Sequence, residues 1–453
     1  MRAQDMDVSA VDAPVSLDMS LPGSKSLSVR MLLLAALADG PSRLTGLLPG
    51  ADTIATLRVL RALGSDVRIE PRGGLDTVTV RGVAGQWSVL GGELDVGESA
   101  TLARMLTAIL SAGSQGGDWV LAGGPGLSRR SLSTLFETLR TVGGRIEPLL
   151  GPGQLPARVG GDTSLYPWLT VRATHTSQDV SAAMMGAVAS GRTTVIRVVD
   201  RRVHLGYVRM TIDALAAFGH VVDVLGPDGY VVRPATNAAG RNLAIEPDVS
   251  TAAYPAALAA LTGGRARIGG FPVDSSQPDA QFLSVLERMG CSLIREADAV
   301  VVVGPLALQG GFRIRMNGMA DQVPTLVALA VFADSPIEIC DVARVRGHES
   351  DRLVSLGAGL AAMGVESVVL DDGIRVVPGR PIRATVDPRH DHRVAMALAL
   401  IGAAGDGVRI RHPGCVTKSF PGFFGMLTAA GAVVSTVGED TVRAAKEDLC
   451  QQP

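Results

Sequence analysis

Two of the three lysines in this chain are the first candidates for chemistry, because arginine has replaced lysine almost everywhere else. The sequence holds 42 basic residues, of which 3 are lysines and the remaining 39 (42 minus 3) are arginines. A lysine is retained where a compact, rotatable ammonium that can lose its proton is required, which a guanidinium does not provide. Lys25 and Lys418 each stand beside serines, in PGSKS and VTKSF. These lysines are therefore the first residues to consider for binding or proton transfer, and retention by chance is the alternative.

The first of these lysines lies where a loop enters a predicted helix, since LPGSKSLSVR runs into the apolar stretch MLLLAALADG. Gly23 lets the backbone approach closely, and Ser26 and Arg30 lie four residues apart on one helical face. Together with Ser24 and Lys25 they can converge on an anionic group at the helix start. The segment is not a P-loop, because the glycine spacing of that motif is absent and a serine separates the glycine from the lysine.

Two further segments carry polar groups at predicted helix starts. THTSQDVSAAMMGAV places Thr176, Ser177 and Gln178 before a helix of small residues, where hydroxyls and free amides commonly hold a phosphate. Capping of the helix alone is the alternative interpretation. RVRGHESDRLVSL puts Glu349 and Arg352 three residues apart on one predicted helical face, which sets an acid beside a cation. A surface ion pair would explain that spacing equally well.

The segment DPRHDHRVAMALAL offers His392 and Arg393 at another predicted helix start. A metal site formed by Asp387, His390, Asp391 and His392 is a possible interpretation of the same segment. A His-x-His pattern without a third, distant cluster of ligands is weak evidence for a metal, so we predict none.

The segments that carry chemistry share one feature, which is that arginine, lysine, serine or histidine stands at or beside a helix start. A cleft lined by such helix starts from two domains would hold a ligand pair rich in phosphate and carboxylate. We therefore predict a site for several anionic groups.

The elements that must position these residues show an internal repeat. A predicted amphipathic helix that ends in Leu-x-x-x-Gly and is followed by an alternating apolar stretch occurs six times. Glycine can adopt the left-handed conformation that ends a helix, and the β-branched residues after it favour a strand. Units of about 70 residues are small for independent cores, so we predict three units in each of two domains, with the helices inside and the sheets outside or the reverse. The six glycines are Gly64, Gly143, Gly219, Gly290, Gly364 and Gly431.

Length and charge limit the class of protein. A chain of 453 residues with 47% hydrophobic content exceeds what one core usually serves, which again favours two domains. A net charge of -2 offers no broad surface for a polyanion, so we expect no nucleic acid partner. The sequence has no apolar signal core at its N-terminus and no apolar run long enough to span a bilayer, which predicts a cytoplasmic protein without membrane contact. Its four dispersed cysteines suggest neither a zinc ribbon nor a disulfide framework.

These motifs resemble the enolpyruvyl transferases, and within them the 3-phosphoshikimate 1-carboxyvinyltransferase (EPSP synthase) branch. PGSKS with Arg30, TSQ, DQVPT, ESDR, DHR and TKSFP occur in the order found in that family and span nearly the whole chain. The resemblance implies a two-domain inside-out α/β barrel of six helix-cap-strand repeats with its active site in the interdomain cleft. We place one domain at 24–245 and the other at 1–23 plus 246–453, with hinges near 23 and 245, and we expect a monomer.

The resemblance also implies transfer of the enolpyruvyl group from phosphoenolpyruvate to a hydroxyl of a small anionic acceptor, with release of phosphate and without a cofactor. Asp321 would act as the base at the acceptor hydroxyl, Glu349 as the acid at the methylene carbon, and Lys25 as a proton shuttle near the leaving group. The assignment of acid and base among these three stays open. The residues implied for the donor are Lys25, Arg130, Gln178, Arg352, Arg393 and Lys418, and those for the acceptor are Ser26, Arg30, Thr176, Ser177, His204, Tyr207, Asp321, Arg344 and His348.

The chain departs from the family pattern at several of these positions. The family motif GNAGTAMR appears as GESATLAR, which puts Glu98 in place of asparagine and Ala100 in place of glycine. A carboxylate beside an anionic substrate is unexpected. His348 replaces the lysine before Glu349, and His204 and Arg344 replace a serine and an asparagine on the acceptor side.

The identity of the acceptor therefore stays open at this point. Shikimate 3-phosphate and a different acceptor, such as the nucleotide UMP in the biosynthesis of a nucleoside antibiotic, fit the sequence equally well. UDP-N-acetylglucosamine fits less well, because the branch that uses it typically has Lys-Asn where this chain has Lys25-Ser26. A non-catalytic relative that binds phosphorylated metabolites is a further alternative, which the retained acid, base and lysines disfavour.

Overall fold

The protein is described by a computed structural model, which covers residues 4–72, 75–113, 116–161, 167–201, 204–236, 238–272 and 274–436. The chain forms two compact units, one of Pro22–Asp248 and the other of Met1–Leu21 with Val249–Pro453. We call them the central unit and the terminal unit. The predicted boundaries at 23 and 245 fall close to these bounds, and the hinge role of those residues stays a prediction.

The central unit contains three four-stranded sheets among its described residues. Its helices are α1 (Lys25–Leu37), α2 (Ala51–Ala62), α3 (Ala100–Ala112), α4 (Pro125–Ser128), α5 (Ser133–Arg140), α6 (Gln178–Ser190) and α7 (Gly206–Ala217). Its strands are β3 (Asp39–Leu47), β4 (Asp66–Arg72), β5 (Leu75–Val83), β6 (Gly91–Asp95), β7 (Asp118–Ala122), β8 (Gly144–Pro148), β9 (Ala157–Gly161), β10 (Trp168–Arg172), β11 (Thr194–Val199), β12 (Val221–Val224), β13 (Gly229–Arg233) and β14 (Asn242–Ala244).

The terminal unit also contains three four-stranded sheets among its described residues. Its helices are α8 (Val249–Thr262), α9 (Phe282–Arg288), α10 (Val323–Ala330), α11 (Arg352–Ala362), α12 (His392–Ala404) and α13 (Phe423–Ala429). Its strands are β1 (Met6–Val8), β2 (Ser16–Ser20), β15 (Arg265–Gly269), β16 (Ser292–Arg295), β17 (Ala299–Val303), β18 (Arg313–Arg315), β19 (Ile337–Cys340), β20 (Ser367–Leu370), β21 (Gly373–Val376), β22 (Ala384–Val386), β23 (Val408–Ile410) and β24 (Val434–Thr436).

All six sheets follow the same topology. In the sheet β6-β7-β9-β8, the first two strands are parallel and flank α3, and the last two form an antiparallel hairpin after α5. The parallel pair needs a crossover connection, which the buried helix supplies, whereas the antiparallel pair needs only a short turn. The unit of the repeat is thus β-α-β-α-β-β.

Three strands complete sheets whose other members lie far away in the sequence. β14 is the last strand of the central unit and pairs with β3 near its beginning. β2 pairs with β15, and β1 lies between β23 and β24 near the other end of the chain. The terminal unit is therefore built from both ends of the sequence.

The helices that cross over between parallel strands form the interior of each unit. Every residue of α3 and α10 is buried, and so is nearly every residue of α8 and α12. In the central unit α3 packs against α6, and in the terminal unit α8, α10 and α12 pack against one another. The sheets lie around these helices and expose alternate residues, as in β10, where Trp168, Thr170 and Arg172 face outward. The fold is therefore the inside-out α/β arrangement, with helices inside and sheets outside.

The predicted helix-cap-strand units are confirmed. Each of the six glycines has a φ between +73° and +99° and follows one of the outer helices α2, α5, α7, α9, α11 and α13. The strand after it begins one to three residues later. A residue with a Cβ is strained in this conformation, so glycine is favoured at these six positions.

Within the described residues, none of the helices combines the length and the apolar character that a membrane crossing would need.

Candidate active site

Lys25 lies at the first position of α1 in the central unit. Ser24 caps the helix, since its hydroxyl accepts the amide of Leu27. The Lys25 amide donates to the Asp248 carboxylate at 3.0 Å, and its Nζ lies 3.9 Å from Oδ2 of the buried Asp52. Lys25 is thus fixed at both ends, by two carboxylates that the sequence did not indicate.

Gly23 allows the loop before α1 to pass close to another backbone segment. A Cβ at this position would collide with the carbonyl oxygen of Gly46. The predicted close approach therefore occurs, and the partner is the backbone of β3 at Gly46.

Arg30 is buried with 2% of its surface exposed and connects α1 to α7. Its Nε donates to Thr211 Oγ1 at 2.8 Å, and another of its nitrogens donates to the Ser26 carbonyl. Burial lowers the pKa of Arg30 to about 10. Packing of the two helices is therefore one function of Arg30, and its contribution to the acceptor site stays a prediction.

The start of α6 carries the three predicted polar residues. Thr176 precedes the N-cap residue Ser177, and its Oγ1 accepts the amide of Gln178 at 3.1 Å. Ser177 is buried and makes no capping bond with its side chain. The Gln178 side chain donates to Thr101 Oγ1 at 3.2 Å and accepts from Arg104 at 3.4 Å. Gln178 is thus held by two residues of α3.

Arg104 is a residue of this site that the sequence analysis missed. Its Nε donates to Asp179 at 3.0 Å, and its NH2 donates to the Ser131 carbonyl at 3.0 Å. Burial lowers the pKa of Arg104, as does nearby Arg130, whereas Asp179 opposes this shift. Burial raises the pKa of Asp179, although Arg104 counteracts it. The sequence signal for this arginine is the last letter of GESATLAR, which agrees with the last letter of the family motif GNAGTAMR.

The remaining predicted residues of the central unit are less enclosed. Arg130 is half-buried and lies two residues after the end of α4. Tyr207 is half-buried in the first turn of α7. His204 is exposed, and its Nδ1 accepts the amide of Gly206 at 3.0 Å.

Arg352 is the centre of the cluster in the terminal unit. The guanidinium donates to Asp321, Glu349 and Asp391, each at 2.9 Å, and only 1% of the side chain is exposed. Burial lowers its pKa, but the carboxylates of Asp391, Glu349 and Asp321 outweigh burial and raise the pKa above the ordinary value for arginine. Arg352 therefore stays charged.

Two further cations complete this cluster. Arg393 donates to Asp321 Oδ2 at 3.0 Å and to Ser250 Oγ at 3.2 Å. Lys418 Nζ donates to Glu349 Oε1 at 2.8 Å. The carboxylates of Asp321 and Glu349 thus form one connected network with three cations, and each carboxylate contacts two of them. The cations are Arg352, Arg393 and Lys418.

Local structure holds these cations in place. Asp391 caps α12 by accepting the amides of Arg393 and Val394 with one oxygen, while its other oxygen accepts from Arg352. Lys418 ends a short 3-10 segment, and Phe420 and Phe423 after it pack against the ring of Tyr254. The SFPGF sequence therefore anchors the loop that carries Lys418.

One detail of the predicted local structure is wrong. Glu349 and Arg352 do not share a helical face, because α11 begins only at Arg352 and Asp351 is its cap. The two side chains still meet, at 2.9 Å, because the turn before the helix brings Glu349 back towards the guanidinium.

His348 and Arg344 lie beside this cluster. His348 Nδ1 is 2.9 Å from an Arg352 nitrogen, and 29% of its side chain is exposed. Desolvation and then the charge of Arg352 lower the pKa of His348 to about 3, so the imidazole is neutral near pH 7. Arg344 is half-buried in the 3-10 segment Ala343–Gly347. His348 does not supply the positive charge of the lysine that the family pattern has at this position.

A metal ion fits this cluster poorly. Ligand atoms of Glu349, Asp391 and His392 lie within 4.8 Å of one another, which is close enough for a metal site. Both carboxylates, however, already contact the Arg352 guanidinium, and Glu349 contacts Lys418 as well. A metal would have to displace or repel these cations. His390, which the sequence analysis weighed as a ligand, stacks on His412 with ring centroids 4.5 Å apart.

Each unit thus contains cations, hydroxyls and amides that suit anionic ligands, and the terminal unit adds two carboxylates beside them. Carboxylates held among cations can accept or return protons, and arginine and lysine can bind phosphate and carboxylate groups of substrates.

Comparison with known proteins identifies the family. The family model described as EPSP synthase (3-phosphoshikimate 1-carboxyvinyltransferase) matches residues 11–427. A protein of Halalkalibacterium halodurans named 3-phosphoshikimate 1-carboxyvinyltransferase 2 is 36% identical over 418 residues, which cover 92% of each chain. The 3-phosphoshikimate 1-carboxyvinyltransferase of Nostoc punctiforme is 34% identical over 92% of this chain and 97% of its own.

Solved structures agree with this result. The EPSP synthase of Acinetobacter baumannii has a TM-score of 0.79 at 25% identity, over 96% of this chain and 100% of its own. The enolpyruvyl transferase NikO of Streptomyces tendae has a TM-score of 0.74 at 20% identity, over 96% of this chain and 99% of its own, and so shares the fold. The chain therefore belongs to the EPSP synthase (3-phosphoshikimate 1-carboxyvinyltransferase) family and is a carboxyvinyltransferase.

Proposed function

We propose that shikimate 3-phosphate is the acceptor to which this enzyme transfers the enolpyruvyl group of phosphoenolpyruvate. The observation that carries the proposal is the similarity over more than nine tenths of the chain to relatives whose names specify this acceptor. The network of Asp321, Glu349, Arg352, Arg393 and Lys418 supports the reaction type, because it sets two carboxylates among three cations.

Donor binding follows from charge. Phosphoenolpyruvate carries a phosphate and a carboxylate, and arginine binds such groups with two parallel hydrogen bonds. Arg352, Arg393 and Lys418 would bind the donor on the terminal unit, and Lys25, Arg130 and Gln178 on the central unit. In the terminal unit the protein's own carboxylates neutralise the cations. An incoming donor would take over part of these contacts.

The chemical steps need an acid, a base and a stabilised leaving group. Glu349 would give a proton to the methylene carbon of the donor while Asp321 takes the proton of the acceptor hydroxyl, whose oxygen bonds to the central carbon. The resulting ketal would lose phosphate, with Lys25 protonating the leaving oxygen, and Glu349 would take back one methyl proton to restore the double bond. The products are the enolpyruvyl ether and inorganic phosphate.

A nucleotide acceptor is the second candidate, and one observation favours it. The position before Glu349 holds His348, whose low pKa leaves it neutral where the family pattern has a lysine. A phosphate of the acceptor would thus lose one cation there.

Phosphate release tests the acceptor directly. Purified protein would be mixed with phosphoenolpyruvate and, in parallel, shikimate 3-phosphate, UMP or UDP-N-acetylglucosamine, with Lys25→Ala as the inactive control. Release with shikimate 3-phosphate alone is the expected result. Release with UMP alone would replace the proposal by the second candidate. Release with UDP-N-acetylglucosamine, or with none of the three despite donor binding, would contradict both.

We also propose that the enzyme works as a monomer in the cytoplasm without a nucleic acid partner. The net charge of -2 supports the last point, since binding to a polyanion requires a basic surface. Light scattering after size-exclusion chromatography would give the mass of the particle, and a mass well above 46.8 kDa would contradict the monomer.

A further inference from the structure

Glu98 is the departure from the family pattern that the proposed reaction leaves unexplained. It lies just before Ser99, the cap of α3, and its side chain reaches the beginning of α4. Its Oε1 accepts the amide of Gly126 at 3.0 Å. The backbone adds a second contact between the same segments, because the Gly124 amide donates to the Gly97 carbonyl at 2.8 Å.

The sequence around α4 leaves room for this carboxylate. A Cβ at Gly124 or at Gly126 would collide with the Glu98 carboxylate. Neither glycine has a positive φ, so their backbone conformations would tolerate other residues. The space they leave is therefore occupied by the Glu98 carboxylate.

The segment that Glu98 holds leads directly to Arg130. α4 ends at Ser128, and the Arg130 amide donates to the Leu127 carbonyl at 2.9 Å. One residue after Arg130, the Ser131 carbonyl accepts from the buried Arg104. Arg130 thus stands between two fixed points, with Glu98 at the start of the segment and Arg104 at its end.

We propose that Glu98 is a positioning residue for Arg130, which it places for donor binding by holding the first turn of α4. The inference rests on the proposed role of Arg130 in binding phosphoenolpyruvate. The hydrogen bond from Gly126 needs an acceptor oxygen but no charge. A glutamine keeps an acceptor oxygen, so Glu98→Gln should keep this hydrogen bond.

The test compares Glu98→Ala and Glu98→Gln with Glu93→Ala, an exposed carboxylate on the neighbouring β6. Phosphate release is measured while phosphoenolpyruvate or the acceptor is varied, and donor binding alone is followed by equilibrium dialysis with labelled phosphoenolpyruvate. We expect Glu98→Ala to raise the KM and the Kd for the donor about tenfold, as loss of an interaction of about 1.4 kcal/mol would. The KM for the acceptor stays within twofold, Glu98→Gln binds the donor better than Glu98→Ala does, and Glu93→Ala binds it as the wild type does.

Gly126→Ala provides a second variant that leaves Glu98 in the chain. Its methyl group would displace the Glu98 carboxylate and break the same hydrogen bond, so it should raise the donor KM as Glu98→Ala does. Gly126→Ala also tests the proposal if the Glu98→Ala variant fails to fold.

Three results would overturn the proposal. They are an unchanged donor KM and Kd in both Glu98→Ala and Gly126→Ala, an equal rise of donor and acceptor KM, and a Glu98→Gln enzyme as impaired as Glu98→Ala. A wild-type protein that binds phosphoenolpyruvate but does not release phosphate would contradict the proposed acceptor instead, and the dialysis comparison would still test Glu98.

Discussion

Arg352 shows how single residues of this site depend on one another. Its guanidinium contacts three carboxylates, so that removing any one partner leaves the buried charge less compensated. Glu349 shares its two oxygens between Arg352 and Lys418. The proposed acid is therefore held by two cations that would also bind the donor.

Replacement of this acid tests its role. Glu349→Gln keeps the shape and one acceptor oxygen but cannot transfer a proton. We expect kcat to fall between about 10² and 10⁴-fold, which is the usual contribution of a general acid or base. Steady-state phosphate release measures the change, with the thermal midpoint as a control for folding. A kcat within fivefold of the wild type would show that another group protonates the methylene carbon.

His220 makes stability depend on pH at a site remote from the proposed chemistry. It is 5% exposed, its Nδ1 accepts the Ala235 amide at 3.0 Å, and burial followed by the charge of Arg241 lowers its pKa to about 4. Between pH 6.5 and 4 the unfolded chain binds a proton that the folded chain does not, so stability falls as pH falls through this window. Above pH 6.5 the contribution is constant.

An asparagine at this position should remove that dependence. Its side-chain oxygen can accept the Ala235 amide as Nδ1 does, and it does not titrate. Between pH 7 and pH 5, we expect the free energy of unfolding to fall by about 2 kcal/mol more in the wild type than in His220→Asn, as linkage predicts for this pKa difference. Urea unfolding at both pH values measures this free energy, and His175→Asn, at an exposed histidine, is the control. Equal losses in wild type and His220→Asn would refute the explanation.

At the scale of elements, the glycine caps end the outer helices and set the direction of the strands that follow. The sequence predicted these six positions because the cap is a local feature, determined by a few adjacent residues. Gly431, after α13, has the largest φ of the six, +99°, and a Cβ there would meet no other atom within 4 Å. Any effect of a substitution is therefore due to backbone conformation alone.

Gly431→Ala and Gly425→Ala form a matched pair that separates backbone strain from crowding. Gly425 lies inside the same helix, is exposed, and also has open space around its Cβ position. We expect Gly431→Ala to lower the free energy of unfolding by about 1–2 kcal/mol. Gly425→Ala should raise it by about 0.5–1 kcal/mol, because alanine favours a helix interior. Urea unfolding of both variants measures the difference, and changes of the same sign would contradict the assigned conformations.

At the scale of the whole molecule, the two units differ in which parts of the sequence form them. The central unit is continuous from Pro22 to Asp248 and contains all strands of its three sheets. The terminal unit takes β1 and β2 from the first 20 residues. Asp7 in β1 contacts Arg383 and Arg409, so that this strand is joined to its sheet by ion pairs as well as by backbone hydrogen bonds.

Separate expression of the two segments tests this difference. We expect residues 22–248 to unfold cooperatively in urea, because no strand of this unit is missing. Residues 249–453 alone lack an inner strand of one sheet and an outer strand of another, and should remain largely unfolded or aggregate. Circular dichroism and urea titration would show this. Cooperative unfolding of 249–453 without the first 21 residues would mean that β1 and β2 are dispensable.

The sequence by itself determined the features that depend on neighbouring residues. These are the six helix-cap-strand units, the helix start at His392, the polar groups before α1 and α6, and the motifs that identify the family. Hydrophobic period, glycine and capping residues act over a few positions, so they can be read along the chain.

Only the tertiary structure decided which faces are inside and which distant residues meet. Periodicity marks an apolar face but does not tell what covers it, and so the choice between helices inside and sheets inside required the packed units. Arg104 meets Asp179 across 75 positions, Arg352 meets Asp391 across 39, and Glu98 meets Gly126 across 28. Such contacts arise when separate elements pack together, and a charged side chain in one segment carries no local sign of its partner in another.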